Sequence, residues 1–346
     1  MSIKNDYPLN KKSYGLYCLT VEGQKSNLTE ITLSNAEICI SKDKQTGLWC
    51  ELNSSSDGDK TMMLGAICGD IAGSVYEFNN IKYCLNPQNL ISIDAGFTDD
   101  TVMTCAVAEG LKKALSEIAV AEIVDNQYDK TITDKIVKSL LKYGEMYPGV
   151  GYGPSFYRWL MAEHHEPYNS WGNGAAMRAS YAGWVAKTMF EAEHFGELTA
   201  KVTHNHPEGI KAASVIAGCI FMMRSGSNKS DVSEYVNQYY NIDFTLDEIR
   251  ADYQFDVSCQ GSVPQAIVAF LEGQDFSDVI ARAISIGGDS DTIAAISGSL
   301  AEAYYPISKK LRRQILEKLD TNLKATLIEV IDYALFRSGH VLVELN

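Results

Sequence analysis

The stretch Thr61-Met-Met-Leu-Gly-Ala-Ile-Cys-Gly-Asp-Ile-Ala-Gly-Ser-Val-Tyr-Glu-Phe78 decides the fold class. It is apolar at helical spacing, and Gly65, Gly69 and Gly73 recur every fourth residue, which places all three on one helical face. Each glycine costs a helix roughly 1 kcal/mol relative to alanine. A strip of three is tolerated where another backbone must come close, so a tightly docked partner helix is expected. The same small-residue habit returns far downstream at Ala294, Ala295, Gly298 and Ala301.

Outward from this segment the helical periodicity continues. It predicts helices over 101–117, 132–145, 175–190, 207–223, 232–240, 265–271, 276–285, 292–304, 311–319 and 323–336. No alternation of strands and helices of the doubly wound kind appears. The main body, 61–346, is therefore expected to be all-α. Before residue 60 the pattern changes to short alternating runs around Leu16–Val21, Leu28–Leu33 and Ile38–Ile40, followed by the polar break Asn53–Lys60. Residues 1–60 read as a small β-rich extension with too little apolar mass to fold alone.

Composition limits the function. The chain has 346 residues, 46 % of them apolar, and a net charge of −14. Such an acidic surface repels a phosphate backbone, so sequence-independent nucleic-acid binding is not expected. Eight scattered cysteines without a CxxC pair read as reduced thiols. The N-terminus lacks the apolar core of a signal peptide, and the longest apolar run, Ala212–Met223, is too short to span a bilayer. A soluble cytoplasmic protein is expected, without membrane partners.

Two segments carry chemistry. Phe97-Thr-Asp-Asp-Thr101 and Gly287-Gly-Asp-Ser-Asp-Thr292 each place paired carboxylates and hydroxyls at the start of a helix. One Asp suffices as an N-cap, and capping both helices leaves two acids without a role. If the segments meet, four carboxylates demand raised pKa values or bound cations. Hard oxygen donors without His or Cys favour Mg²⁺ or Mn²⁺ over zinc. Trp171-Gly-Asn-Gly174 before a predicted helix offers amides suited to a diphosphate, although a plain helix-start turn has the same appearance.

Taken together, LGAICGDIAGSVYE (64–77), FTDDTVMTCAVAEGL (97–111), SWGNGAAMR (170–178), THNHPEG (203–209) and SIGGDSDTIAAISGSLAEAYYP (285–306) resemble the ADP-ribosylglycohydrolases in order and spacing. That resemblance implies an all-α domain with a binuclear Mg²⁺ or Mn²⁺ centre that removes ADP-ribose from a modified side chain. It implies Thr98, Asp99, Asp100, Asp289, Asp291 and Thr292 as metal ligands, with Asp100 or Glu77 handling the proton. Ser170, Trp171, Gly172, Asn173, Gly174 and His204 correspond to positions at the ligand. Tyr152 is a candidate for stacking on adenine, with a core aromatic as the plain alternative. Asp70, seven residues before Glu77, reads as structural. An ADP-ribosylated protein is the expected substrate, with arginine the expected acceptor and serine or poly(ADP-ribose) the alternatives. The extension suggests a further expectation, immunity to an ADP-ribosyltransferase toxin bound through residues 1–60, up to a purely non-catalytic inhibitor. All six ligand positions are intact, which favours an enzyme.

Overall fold

A computed structural model of the chain describes residues 39–42, 49–51, 61–121, 127–338 and 341–343. The helices begin with α1 (Leu64–Gly73), α2 (Asp99–Ala121), α3 (Tyr128–Met146) and α4 (Pro154–Leu160). Then come α5 (Gly174–Met177), α6 (Ser180–Val185), α7 (Met189–Lys201), α8 (Pro207–Arg224), α9 (Lys229–Val236) and α10 (Leu246–Ile249). The series ends with α11 (Cys259–Glu272), α12 (Phe276–Ser285), α13 (Ser290–Tyr304), α14 (Lys309–Lys318) and α15 (Thr321–Arg337). Every element between residues 61 and 338 that is described is a helix, as the periodicity implies. No helix among the described residues is long and apolar enough to cross a membrane.

The glycine strip on α1 docks on α13. A methyl group at Gly65 would lie within 3.0 Å of the Gly298 carbonyl, one at Gly69 would meet the backbone of Ala294, and one at Gly73 the backbone of Asp291. Gly298 faces Gly65 in return. Every residue of α1 is buried. We expect Gly65→Ala to destabilise the protein by about 2–4 kcal/mol, because neither backbone can yield without moving a whole helix. A urea midpoint equal to that of the parent protein would show the docking to be looser than this.

The starts of α1 and α2 are capped from other helices. Met63, at the N-cap of α1, has φ 71° and gives no side-chain cap. Glu302 of α13 takes that role, accepting from the Thr61 hydroxyl (2.6 Å) and the amides of Leu64 (3.1 Å) and Gly65 (2.8 Å). Burial raises its carboxyl to about 7 even so. Asp70 of α1 caps α2 in turn, accepting from the amides of Thr98 (2.9 Å) and Thr101 (3.0 Å).

The predicted helix over 175–190 is not continuous. It is divided into α5 and α6, with extended backbone at Ala186 and Thr188 before α7. Apolar periodicity persists through the breaks, which is why the sequence hides them. Glu77 also lies beyond the end of α1, so it does not share a helical face with Asp70. In the N-terminal segment, β1 (Cys39–Lys42) pairs antiparallel with β2 (Trp49–Glu51) and parallel with β3 (Val341–Val343). The runs expected at 16–21 and 28–33 lie outside the described residues.

Candidate metal centre

The two acidic motifs meet at neighbouring helix starts. Asp99 and Asp100 occupy the first turn of α2, while Asp289 and Asp291 flank the first residue of α13. The turn feeding α13 runs through Gly287 and Gly288 at φ 70° and 71°, a region that side-chain-bearing residues rarely adopt. It is clasped from outside, since the Gly288 amide donates to Asn80 Oδ1 at 3.1 Å. The docking of α1 against α13 and the capping of α2 by α1 therefore place both carboxylate pairs with respect to a single helix.

Within the cluster, ligand atoms of Glu77, Asp289 and Asp291 all lie within 4.8 Å of one another. Two ionised carboxylates at that separation repel by about 3.5 kcal/mol at an effective dielectric near 20. Burial and the neighbouring acids raise the whole group. Glu77, half-buried, is pushed up to about 7 by burial, then by Asp289 and Asp70. Asp99 is likewise pushed to about 7, chiefly by burial and Asp70. Asp100 and Asp291 lie well above the usual carboxylate range, from burial first and then from Asp99 and Asp100 respectively. Asp289 is raised by burial as well.

The donors that reach these groups are neutral. Asn173 Nδ2 donates to Asp289 Oδ2 at 2.7 Å and to Ser262 Oγ at 3.0 Å. The Thr292 amide donates to Asp291 Oδ1 at 2.9 Å. Asp100 Oδ2 is buried with no hydrogen-bond partner. Thr98 gives its hydroxyl proton to Asp70 Oδ1 at 2.7 Å, which turns the remaining lone pairs of its oxygen away from Asp70. Sequence reasoning undervalued Asp70. It is structural, but its structure is the alignment of Thr98, Asp99 and Asp100. The signal for this was an acidic residue on an otherwise apolar, fully buried helix.

The remaining residues form a second wall. The segment from Ser170 to Gly174 pairs with the loop before α11 through Gly172 and Ser258. The Gly172 amide donates to Ser170 Oγ (3.1 Å) and the Asn173 amide to the Val257 carbonyl (2.8 Å). Both amides are engaged, that of Gly172 by the nearby Ser170 side chain and that of Asn173 by the opposite loop. The helix they open, α5, is only four residues long.

His204 is better prepared for a ligand. Its Nε2 lies beside Gly172 and Gly174. Arg178 donates to Thr203 Oγ1, and that hydroxyl is hydrogen-bonded to His204 Nδ1 at 2.7 Å. Arg178 Nη2 also lies 3.4 Å from Nδ1, and because a guanidinium only donates, this contact favours Nδ1 as acceptor and the imidazole proton on Nε2, toward the loop. Burial and Arg178 keep the ring neutral, far below its ordinary pKa. Trp171 is exposed against His206, and the Tyr152 ring tilts on Phe156 with its hydroxyl buried and unpartnered near Asp99.

The ADP-ribosylglycohydrolase family profile matches residues 59–341. ADP-ribosylhydrolase ARH3 of Homo sapiens is 25 % identical over 320 residues, covering 70 % of this chain and 84 % of its own length. The Mus musculus ARH3 is 24 % identical, covering 70 % and 82 %. ADP-ribosyl-[dinitrogen reductase] glycohydrolase of Rhodospirillum rubrum is 24 % identical over 171 residues, covering 49 % of this chain and 57 % of its own. A solved structure titled ADP-ribosylglycohydrolase-related protein complex shares the fold, with a TM-score of 0.54 at 22 % identity, across 78 % of this chain and 95 % of that one. With matched motifs assembled at one site and the profile spanning the whole helical body, the chain belongs to the ADP-ribosylglycohydrolase family.

Proposed function

We propose that the protein hydrolyses the bond between C1″ of ADP-ribose and an arginine side chain of a modified protein. In this reading two divalent cations, Mg²⁺ or Mn²⁺, are held by Thr98, Asp99, Asp100, Asp289, Asp291 and Thr292. The observation that carries it is the enclosed Asp100 Oδ2 among clustered carboxylates whose donors are neutral. Oxygen-only donors of this kind fit a hard cation. Bound there, such cations supply Lewis acidity toward sugar hydroxyls and lower the pKa of nearby water.

The chain's own groups divide the remaining work. Asp100 is enclosed and serves as a ligand. Glu77, half-buried at the edge of the cluster and with its pKa near neutrality, exchanges a proton at the substituent of C1″. His204 donates from Nε2 to an acceptor oxygen of the bound nucleotide, held by the Arg178–Thr203 relay. Asn173 orients Asp289. The catalytic unit is the segment 61–346, and the extension 1–60 is the proposed contact for an ADP-ribosyltransferase toxin. Of its described strands, β1 pairs with β3 on one side and with β2 on the other.

Incubation with proteins ADP-ribosylated on arginine and on serine, with and without EDTA, tests this. We expect release of ADP-ribose from arginine, lost on chelation and restored by Mg²⁺ or Mn²⁺. Preferential release from serine would replace the acceptor and leave the metal assignment standing. Undiminished turnover after exhaustive chelation would remove the metal assignment.

A further inference from the structure

The edge of the carboxylate site carries an aromatic pair that the reaction described so far leaves unused. Phe78 and Phe255 stack with ring centroids 6.2 Å apart and planes 22° from parallel, yet they are 84 % and 47 % exposed. With Glu77, Asn80, Gln254 and Gly288 they line a cleft of about 210 Å³. Gly288 is the residue before Asp289, so the cleft opens beside the acidic cluster.

Its walls are tied together. The Gly288 amide binds Asn80 Oδ1, and Lys82 Nζ donates to the carbonyls of Ile286 (2.6 Å) and Tyr253. The loop after α1, the loop before α11 and the glycine turn are thereby braced against one another. The cleft is also electrically negative. Glu77 lines it, Asp256 acts on Asp289, and Asp252 acts on Lys82, whose ammonium is already committed to carbonyls. Aromatic faces beside acidic groups, with no uncommitted cation in the lining, suit a planar cation better than a phosphate or a neutral side chain.

We propose that this cleft is the acceptor subsite, where the guanidinium of the modified arginine lies against Phe78 and Phe255 with its charge toward Glu77. The proposal rests on the hydrolase reading and deepens it: the pair selects arginine over serine, whose short side chain leaves the rings untouched.

The test uses the full chain with Phe78→Ser, Phe255→Ser and both together. Turnover is measured on arginine- and serine-linked substrates, and free ADP-ribose binding by calorimetry. For the double variant we expect KM on the arginine substrate to rise about tenfold, the size of a lost cation–aromatic contact, with kcat within about twofold. ADP-ribose affinity should not move. A parallel fall in ADP-ribose affinity would overturn the proposal by placing the nucleotide on the rings, and so would an unchanged KM. If the parent protein hydrolyses neither substrate, the hydrolase reading fails by itself. Agmatine titration then decides the cleft: binding weakened by the double substitution sustains it, and no binding to the parent protein refutes it.

Discussion

Asp100→Asn is expected to lower turnover by on the order of a thousandfold while the metal-free protein becomes more stable. The two effects share one cause. Asp100 is buried with an oxygen that no donor reaches, among carboxylates that raise its pKa well above the ordinary value. The amide keeps the shape, removes the acid and adds donors facing acidic neighbours, so an unfavourable buried group is replaced by a satisfied one. The same change removes a proposed cation ligand, and metal-induced stabilisation should shrink with activity. Asp291→Asn should behave alike, since its carboxyl is raised by burial and by Asp100. Thermal melts with and without Mn²⁺, beside turnover, separate the contributions. A variant that melts lower than the parent in EDTA would show that Asp100 supports the fold, contrary to this account.

A second large effect is the pH dependence of the metal-free state. Glu77 and Asp99 are raised to about 7, and Asp70, Asp100, Asp289 and Asp291 are raised as well. Groups with raised pKa hold protons in the folded state that the unfolded chain releases near pH 4. Their stabilising contribution is complete below about pH 4 and is lost as pH climbs through 7. In EDTA the melting temperature should therefore fall between pH 5.5 and 8, where an ordinary acidic domain changes little. A bound cation replaces the protons, so stabilisation by Mn²⁺ should be larger at pH 8 than at pH 5.5. At a hundredfold excess over Kd it amounts to about 2.7 kcal/mol. Equal metal-induced shifts at both pH values would mean that the ions bind elsewhere.

Much of this arrangement was legible in the residues. The glycine strip at 65, 69 and 73 announced a close helix partner, and the downstream small residues supplied it. The paired TDDT and DSDT motifs announced a cluster whose members the structure unites. Three parts were hidden for physical reasons. The breaks at Ala186 and Thr188 leave the apolar periodicity intact, so nothing local marks them. The committed amide of Asn173 depends on Val257, some 85 residues away, a pairing that no local pattern encodes. The aromatic pair Phe78 and Phe255 is also non-local, since neither ring has a neighbour in sequence that points to the other.

The α1–α13 docking has a consequence for the order of biosynthesis. Residues 64–73 leave the ribosome more than two hundred residues before 290–304, so the earlier helix spends most of translation without the surface that covers its bare strip. Its start also lacks a cap until Glu302 appears. The carboxylates cannot assemble in any nascent chain shorter than about 300 residues. Folding of the body is thus a late, long-range closure instead of a progressive accretion, and the growing polypeptide must carry an exposed apolar helix through that interval.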